Sequence, residues 1–224
     1  MRVLLFGATG MLGHGVLLEC LAAADVERVV TVGRTAVPLQ HPKLEQIVQP
    51  DLFELAAIEP RLQPFDACFF CLGVSSFRMG EAEYRRLTYD LTLGVATVLA
   101  RLNRGMTFVY VSGAQTDSTE HGSSMWARVK GRTENSLQRL SFKAVYLFRP
   151  GAIQPVKGVH SKTRMYRVLY ALLGPLLGLA KRVRPDSIIT SEGIGLAMLE
   201  VARHGAAKAV LETADLKALV RRLR

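Results

Sequence analysis

The chain begins with a short apolar run, "RVLLF" (2–6), that passes without a break into "GATGMLGHG". Gly7, Gly10 and Gly13 stand three apart, with Thr9, Met11 and Leu12 between them, and an apolar helical pattern occupies 11–23. A strand that turns directly into a helix through spaced glycines constrains the fold more than any other feature here. One glycine permits the tight turn, one lets a diphosphate approach the main chain, and one brings helix and strand into contact. The amides that open the helix then face an anion, helped by the helix dipole. In this context, strand before and helix after, the triplet predicts a dinucleotide site built on Gly7, Thr9, Gly10, Met11, Leu12 and Gly13.

The rest of the chain extends the same alternation. Strands are predicted at 28–33, 44–48, 66–73, 106–113 and 143–149, with a short helix after Asp51 and longer helices around 81–103 and 123–140. Strands this continuously apolar are covered on both faces, which calls for a parallel sheet between helical layers. The fold class is therefore α/β, a Rossmann-type doubly wound parallel sheet. After Arg149 the pattern loosens into a helix at 168–180, an extended "SIIT", a helix from about Ser191 and a last helix in "DLKALVRRLR". No linker or repeat divides the chain. The reading is one dinucleotide-binding domain over 1–224, with 151–224 contributing a small substrate-side cap.

Charge and composition narrow the partners. Twenty-nine basic residues against 19 acidic ones give a net charge of +10, which favours anionic ligands. The basic residues are scattered, without a recognition-helix pattern or zinc spacing, and this argues against nucleic acid. The longest apolar stretch, Val168 to Ala180, is interrupted by Gly174 and Pro175. It falls short of the roughly 20 residues that cross a bilayer, so a helix over a substrate cavity is expected and membrane association is not. Three cysteines make no disulfide framework, and no secretory signal precedes the first strand; a cytoplasmic protein is expected.

Two apparent signals lose force on inspection. Cys68 and Cys71 have C-x-x-C spacing but lie in a predicted strand, where residues three apart point to opposite faces. The five histidines are widely separated and form no metal or nucleophile pattern. The end of the second strand carries more information. An NAD site usually places a carboxylate there to hold the ribose 2′-hydroxyl, whereas this chain has Gly33 and Arg34. A guanidinium suits a 2′-phosphate, so NADP(H) is expected ahead of NAD(H).

"GATGMLG", "QPDLFEL", "CLG" and "FRPGAI" together resemble the atypical short-chain dehydrogenase/reductases, in their NAD(P)-binding, epimerase-like branch. The resemblance implies that Asp51 and Leu52 flank the adenine and that Leu72, Gly73 and Val74 line the ribose and diphosphate. It implies an active-site role for Ser112, a ribose contact for Lys130, and a place near the carboxamide for Pro150, Gly151 and Ala152. It also implies a small carbonyl or alcohol substrate and a homodimer formed through the helices flanking the fifth strand. The family's Tyr-x-x-x-Lys pattern is altered: Trp126 stands four residues before Lys130. A phenol, with an ordinary pKa of about 10, can be tuned to pass a proton; an indole N–H is a donor only. General acid–base help is worth roughly 100- to 10,000-fold. The sequence thus leaves two readings, an NADP(H) oxidoreductase with a substituted acid and a catalytically weak redox sensor that acts through a protein partner.

Overall fold

The computed structural model describes residues 1–155 and 188–223. Its elements are β1 (Arg2–Phe6), α1 (Met11–Ala22), β2 (Arg28–Gly33), β3 (Leu44–Val48), a 3-10 turn (Ala56–Arg61), β4 (Ala67–Phe70), α2 (Glu81–Arg85), α3 (Leu91–Leu102), β5 (Thr107–Val111), α4 (Met125–Leu137), β6 (Ala144–Arg149), β7 (Ala152–Gln154), β8 (Ile188–Thr190), α5 (Ser191–His204), β9 (Val210–Glu212) and α6 (Thr213–Arg221). Among the described residues, seven strands form one parallel sheet in the order β3-β2-β1-β4-β5-β6-β9, and β7 pairs with β8 in a separate parallel ribbon. The order reverses between β1 and β4. That switch point opens a crevice at the carboxyl ends of the strands, where ligands of such sheets bind.

The apolar strands bury both faces, as their composition requires. On one face Phe6, Phe70 and Phe108 stack in sequence, with ring centroids 5.4 and 5.9 Å apart, and Phe142 adds to Phe108 at 4.9 Å. Offset aromatic pairs across neighbouring strands hold register as well as burying area. Cys68 shares that face, while Cys71 packs with the opposite cluster beside Cys20 and Phe69. The alternation expected of the strand thus separates the two sulfurs.

Helix α5 lies along α1 on the second face. The approach depends on Gly15, where a Cβ would stand 2.6 Å from the Cβ and Oγ of Ser191. Of the C-terminal stretch grouped as a cap, α5 packs on α1 and β9 extends the sheet from β6, so residues 191–221 belong to the sheet and its helical layer. Strand β9 has only three residues, too few to give a pattern in sequence. The expected helix at 168–180 lies outside the described residues. No helix among the described residues is long and apolar enough to cross a membrane.

The helix expected over 81–103 differs in one respect: a π-helical turn, Arg86–Asp90, separates α2 from α3. Thr92 Oγ1 donates to the Thr88 carbonyl at 2.5 Å within this region. A threonine bonded back to the preceding turn loosens the helical ladder, which a hydrophobic period does not reveal.

Gly15→Val is expected to lower the free energy of unfolding by about 1–3 kcal/mol, because Ser191 belongs to the first turn of α5 and has little room to retreat. Urea titration followed by circular dichroism measures it. An unchanged midpoint would mean that the helices separate without cost.

Candidate functional site

The turn after β1 is built around missing side chains. Gly7 has φ +86°, and a Cβ there would lie 2.7–2.9 Å from the main chain of Cys71 and Leu72. A Cβ on Gly13 would meet the Gly7 carbonyl oxygen at 2.1 Å. Gly10 donates its amide to that carbonyl at 2.9 Å and then enters α1 from an extended conformation, with no side chain capping the helix. The first amides of the helix, those of Met11, Leu12 and Gly13, have no partner within the helix itself. This is the cradle the sequence predicts: open main chain at a helix start, held in place by contacts that exclude any residue but glycine.

A cleft of about 430 Å³ adjoins it. Gly7, Ala8 and Thr9 form one wall, Thr31 to Thr35 with Val37 another, and Leu52 and Leu72 complete the lining. Among the residues expected from sequence, Gly7, Thr9, Arg34, Leu52 and Leu72 therefore meet in one cavity. Arg34 is exposed at the mouth of β2. Asp51 points its carboxylate elsewhere, accepting the Phe53 amide at 2.9 Å, and so shapes the turn that buries Leu52. Gly73 and Val74 follow Leu72 on the exposed rim. Sequence reasoning missed Thr31, Thr35 and Val37. Thr31, a hydroxyl inside an otherwise apolar strand, was the available signal.

The second half of the site lies at the end of β5. Parallel pairing sets Val111 beside Phe148, which brings Ser112 level with Arg149 and Pro150. Ser112 is buried, and its hydroxyl donates to Glu134 Oε1 at 2.5 Å and lies 3.2 Å from the Phe148 carbonyl. Glu134 sits eight residues after Trp126 and four after Lys130, on one face of α4. Its carboxylate is almost wholly buried and is gripped by Arg149 through both Nε and Nη2. Arg149 also reaches Ser118 Oγ at 2.5 Å and Glu212 Oε1 at 3.7 Å, and its own pKa is raised, chiefly by the hydrogen bond to Glu134. This charged pair was not expected from the sequence, although its i, i+4 relation to Lys130 placed Glu134 on the same face.

Lys130 points its ammonium at the Ser112 main-chain carbonyl. Burial lowers its pKa from 10.5 to about 8, partly opposed by the Glu134 carboxylate. Trp126 lies one turn earlier in α4, half-buried. Pro150 accepts the Ala114 amide at 2.9 Å, and the Gly151 amide donates to Thr213 Oγ1 at 2.8 Å, leaving Gly151 and Ala152 exposed at the same end of the sheet. Tyr84 and Tyr89 do not serve this site with their hydroxyls: Tyr84 is buried, and Tyr89 Oη lies 3.2 Å from Ser136 Oγ.

The fold and the glycine cradle together define a Rossmann-fold protein of the short-chain dehydrogenase/reductase type. Protein fmp52-1, mitochondrial, of Aspergillus terreus is 30% identical over 156 residues, covering 67% of this chain and 66% of that protein. Protein fmp52-2, mitochondrial, of the same organism is 24% identical over 219 residues, covering 96% and 94%. Protein HTATIP2 of Rattus norvegicus is 28% identical over 153 residues, covering 67% and 62%, so the matched stretch spans about two-thirds of fmp52-1 and less of HTATIP2. Among solved structures, the Bordetella bronchiseptica enzyme WbmF in complex with NAD+ superposes with a TM-score of 0.68 at 15% identity, over 99% of this chain and 78% of that one. MoeE5 in complex with UDP-glucose and NAD gives 0.69 at 17%, over 100% and 82%. No family model matches the chain. The chain belongs to the atypical short-chain dehydrogenase/reductase group that holds Fmp52 and HTATIP2. The same findings correct the cytoplasmic expectation, because the Fmp52 relatives are named mitochondrial. Free cysteines do not choose among the compartments of a cell.

Glu134→Ala is expected to destabilise the protein by about 3–5 kcal/mol, since it leaves the Arg149 guanidinium partly buried without its main partner. Replacing both residues by methionine should cost less than that single change, measured by chemical denaturation. A double variant weaker than the single one would show that the pair is not the source of the effect.

Lys130 gives a pH-dependent prediction. Its folded pKa lies below the unfolded one, so the unfolded chain binds the extra proton between about pH 8 and 10.5. Stability from this group is therefore present above the upper value and lost as pH falls through the lower one. The native chain should gain stability relative to Lys130→Met across that window, read from paired thermal melts. A constant difference between the two proteins would mean that Lys130 titrates normally.

Proposed function

We infer that this protein is an NADP(H)-binding, oxidoreductase-like member of its family that acts on a small carbonyl or alcohol. The observation that carries the reading is the turn at Gly7–Gly13, where side chains are sterically excluded beside an open helix start and the adjoining cleft reaches Arg34. Neighbours of the same fold are described as NAD complexes, which supports a dinucleotide as the ligand. In this reading the amides of Met11, Leu12 and Gly13 receive the diphosphate, with Thr9 and Gly10 at its edge. Asp51, Leu52, Leu72, Gly73 and Val74 surround the adenosine, and Arg34 meets a 2′-phosphate. Lys130 holds the nicotinamide ribose, and Pro150, Gly151 and Ala152 lie by the carboxamide.

The bound nicotinamide would supply or accept a hydride. In the oxidising direction Ser112 then orients an alcohol substrate by accepting a hydrogen bond from its O–H, because its own proton is already given to Glu134. Trp126 shapes the pocket and offers an N–H. The β7–β8 ribbon follows β6 directly at the carboxyl end of the sheet, which suits the substrate side of a single domain. Pairing of two copies through the helices flanking β5, and a mitochondrial location shared with the Fmp52 relatives, complete the reading.

A second reading has its own support. Trp126 stands where the family pattern has tyrosine, and the Ser112 hydroxyl is engaged by Glu134. Both features favour a catalytically weak redox sensor that binds NADP(H) and acts through a partner. NADPH oxidation against a panel of small carbonyls separates the two: tight binding without turnover in the native chain, and turnover in Trp126→Tyr, supports the sensor.

The cofactor preference is tested at Arg34. Titration calorimetry is expected to show NADPH binding more tightly than NADH, and Arg34→Ala should weaken NADPH by roughly 10- to 100-fold while leaving NADH nearly unchanged. Equal loss for both cofactors would remove the 2′-phosphate assignment.

A further inference from the structure

The altered catalytic pattern raises the question of which atom at this site is able to move a proton. The described residues around the end of β5 leave few choices. Trp126 has a donor and no accessible conjugate base. The Ser112 hydroxyl is held by Glu134, and Glu134 is neutralised by Arg149. Tyr110, the preceding phenol in β5, is fully enclosed, and burial pushes its pKa up. Tyr84, packed near it from α2, is buried and also raised. His121 and Ser123 are exposed on the loop before α4, and the loop is fastened by Asp117, which accepts the Thr119 amide at 3.0 Å and the Gly122 amide at 2.7 Å.

Lys130 remains. It directs one N–H at the Ser112 carbonyl, which fixes Nζ at the mouth of β5. The next residue is Gly113, where a Cβ would lie in ordinary contact with Nζ at 3.8 Å, so the glycine leaves the amine uncovered on that side. Trp126 lies one helical turn away on the same face.

Resting on the cofactor reading above, we propose that Lys130 Nζ is itself the proton donor and acceptor for the substrate oxygen, in the role the family gives to a phenol. In the reducing direction an Nζ–H bond breaks and an O–H bond forms as hydride from the reduced nicotinamide adds to the carbonyl carbon. The neutral amine then recovers a proton from water. Desolvation of the ammonium suits it to this, since its pKa of about 8 lies close to working pH. The charged group that acts on it is Glu134 on its own helix, whose carboxylate is in turn bonded by Arg149 from β6. Glu134 favours the ammonium, and its pairing with Arg149 limits that effect. Lys130 thus combines two tasks, holding a ribose and moving a proton.

The test uses the full chain. NADPH affinity is measured first by calorimetry for the native protein and Lys130→Arg, a variant that keeps the cation but does not release its proton in this range. Brief acetylation with acetic anhydride, read by peptide mass spectrometry across a pH series, then reports the amine directly. Lys130 should modify with a midpoint near pH 8, and NADPH should protect it. Steady-state reduction of a panel of small aldehydes and ketones gives the third readout. The native kcat should fall about tenfold per pH unit above that midpoint. Lys130→Arg should bind NADPH within about threefold of native yet lose roughly 100-fold or more in kcat.

Four results would overturn the proposal while leaving cofactor binding intact: an acetylation midpoint near that of ordinary lysine, a flat pH profile, an unimpaired Lys130→Arg, or NADPH binding with no carbonyl reduced by the native chain. Failure of the native protein to bind NADPH would instead overturn the cofactor reading, and this proposal with it. A Lys130→Arg protein that melts with the native one and binds NADPH rules out misfolding as the cause of its loss.

Discussion

The contact on which the site depends is a main-chain approach of under 3 Å for any side chain that tried to enter it. At Gly7 the turn leaving β1 presses against the end of β4, and at Gly13 the first turn of α1 presses back onto Gly7. These contacts fix the bend, the helix start and the distance between the two central strands together. A methyl group at Gly7 or Gly13 would have to displace backbone that is already hydrogen-bonded into the sheet, and core packing at ordinary protein density gives no slack for that. The crevice at the switch point is therefore a consequence of packing that would exist with no ligand in view. The same geometry leaves the first amides of α1 without a partner inside the helix.

Charge is arranged differently at the two ends of the crevice. At the β2 end an exposed arginine faces solvent and the cleft, where attraction to an anion costs little desolvation. At the β5 end the charges are buried and mutually engaged: Glu134 by Arg149, Ser112 by Glu134, Lys130 by a carbonyl. A buried pair of this kind adds little net stability over apolar residues, but it fixes the orientation of whatever is bonded to it. Here that is the segment Ser112–Gly113, whose carbonyl in turn fixes Lys130.

Most of the fold was legible because its signals are local. The runs at 2–6, 28–33 and 44–48 match β1, β2 and β3 residue for residue: the first two are mostly buried and apolar, and the edge strand β3 keeps its apolar ends around Glu45 and Gln46. The glycine turn was legible for the same reason, all of its residues being neighbours in the chain. What escaped was either too short or too distant. Strand β9 is three residues long, and the π-helical turn leaves the apolar period of α2 and α3 nearly undisturbed. Glu134 and Arg149 look like two surface charges when read in order. Only the parallel register of β5 and β6, together with the face of α4 that carries Lys130, brings them into the core.

The carboxylate of that pair also bears on the state of Lys130. A carboxylate four residues along the same helix face would ordinarily hold an ammonium charged and raise its pKa. Here desolvation is the larger effect and the pKa falls. The physical reason is burial of the ammonium, which outweighs a carboxylate whose two oxygens are also bonded by Arg149. Lys130 has a main-chain carbonyl as its near partner, a dipole rather than an anion.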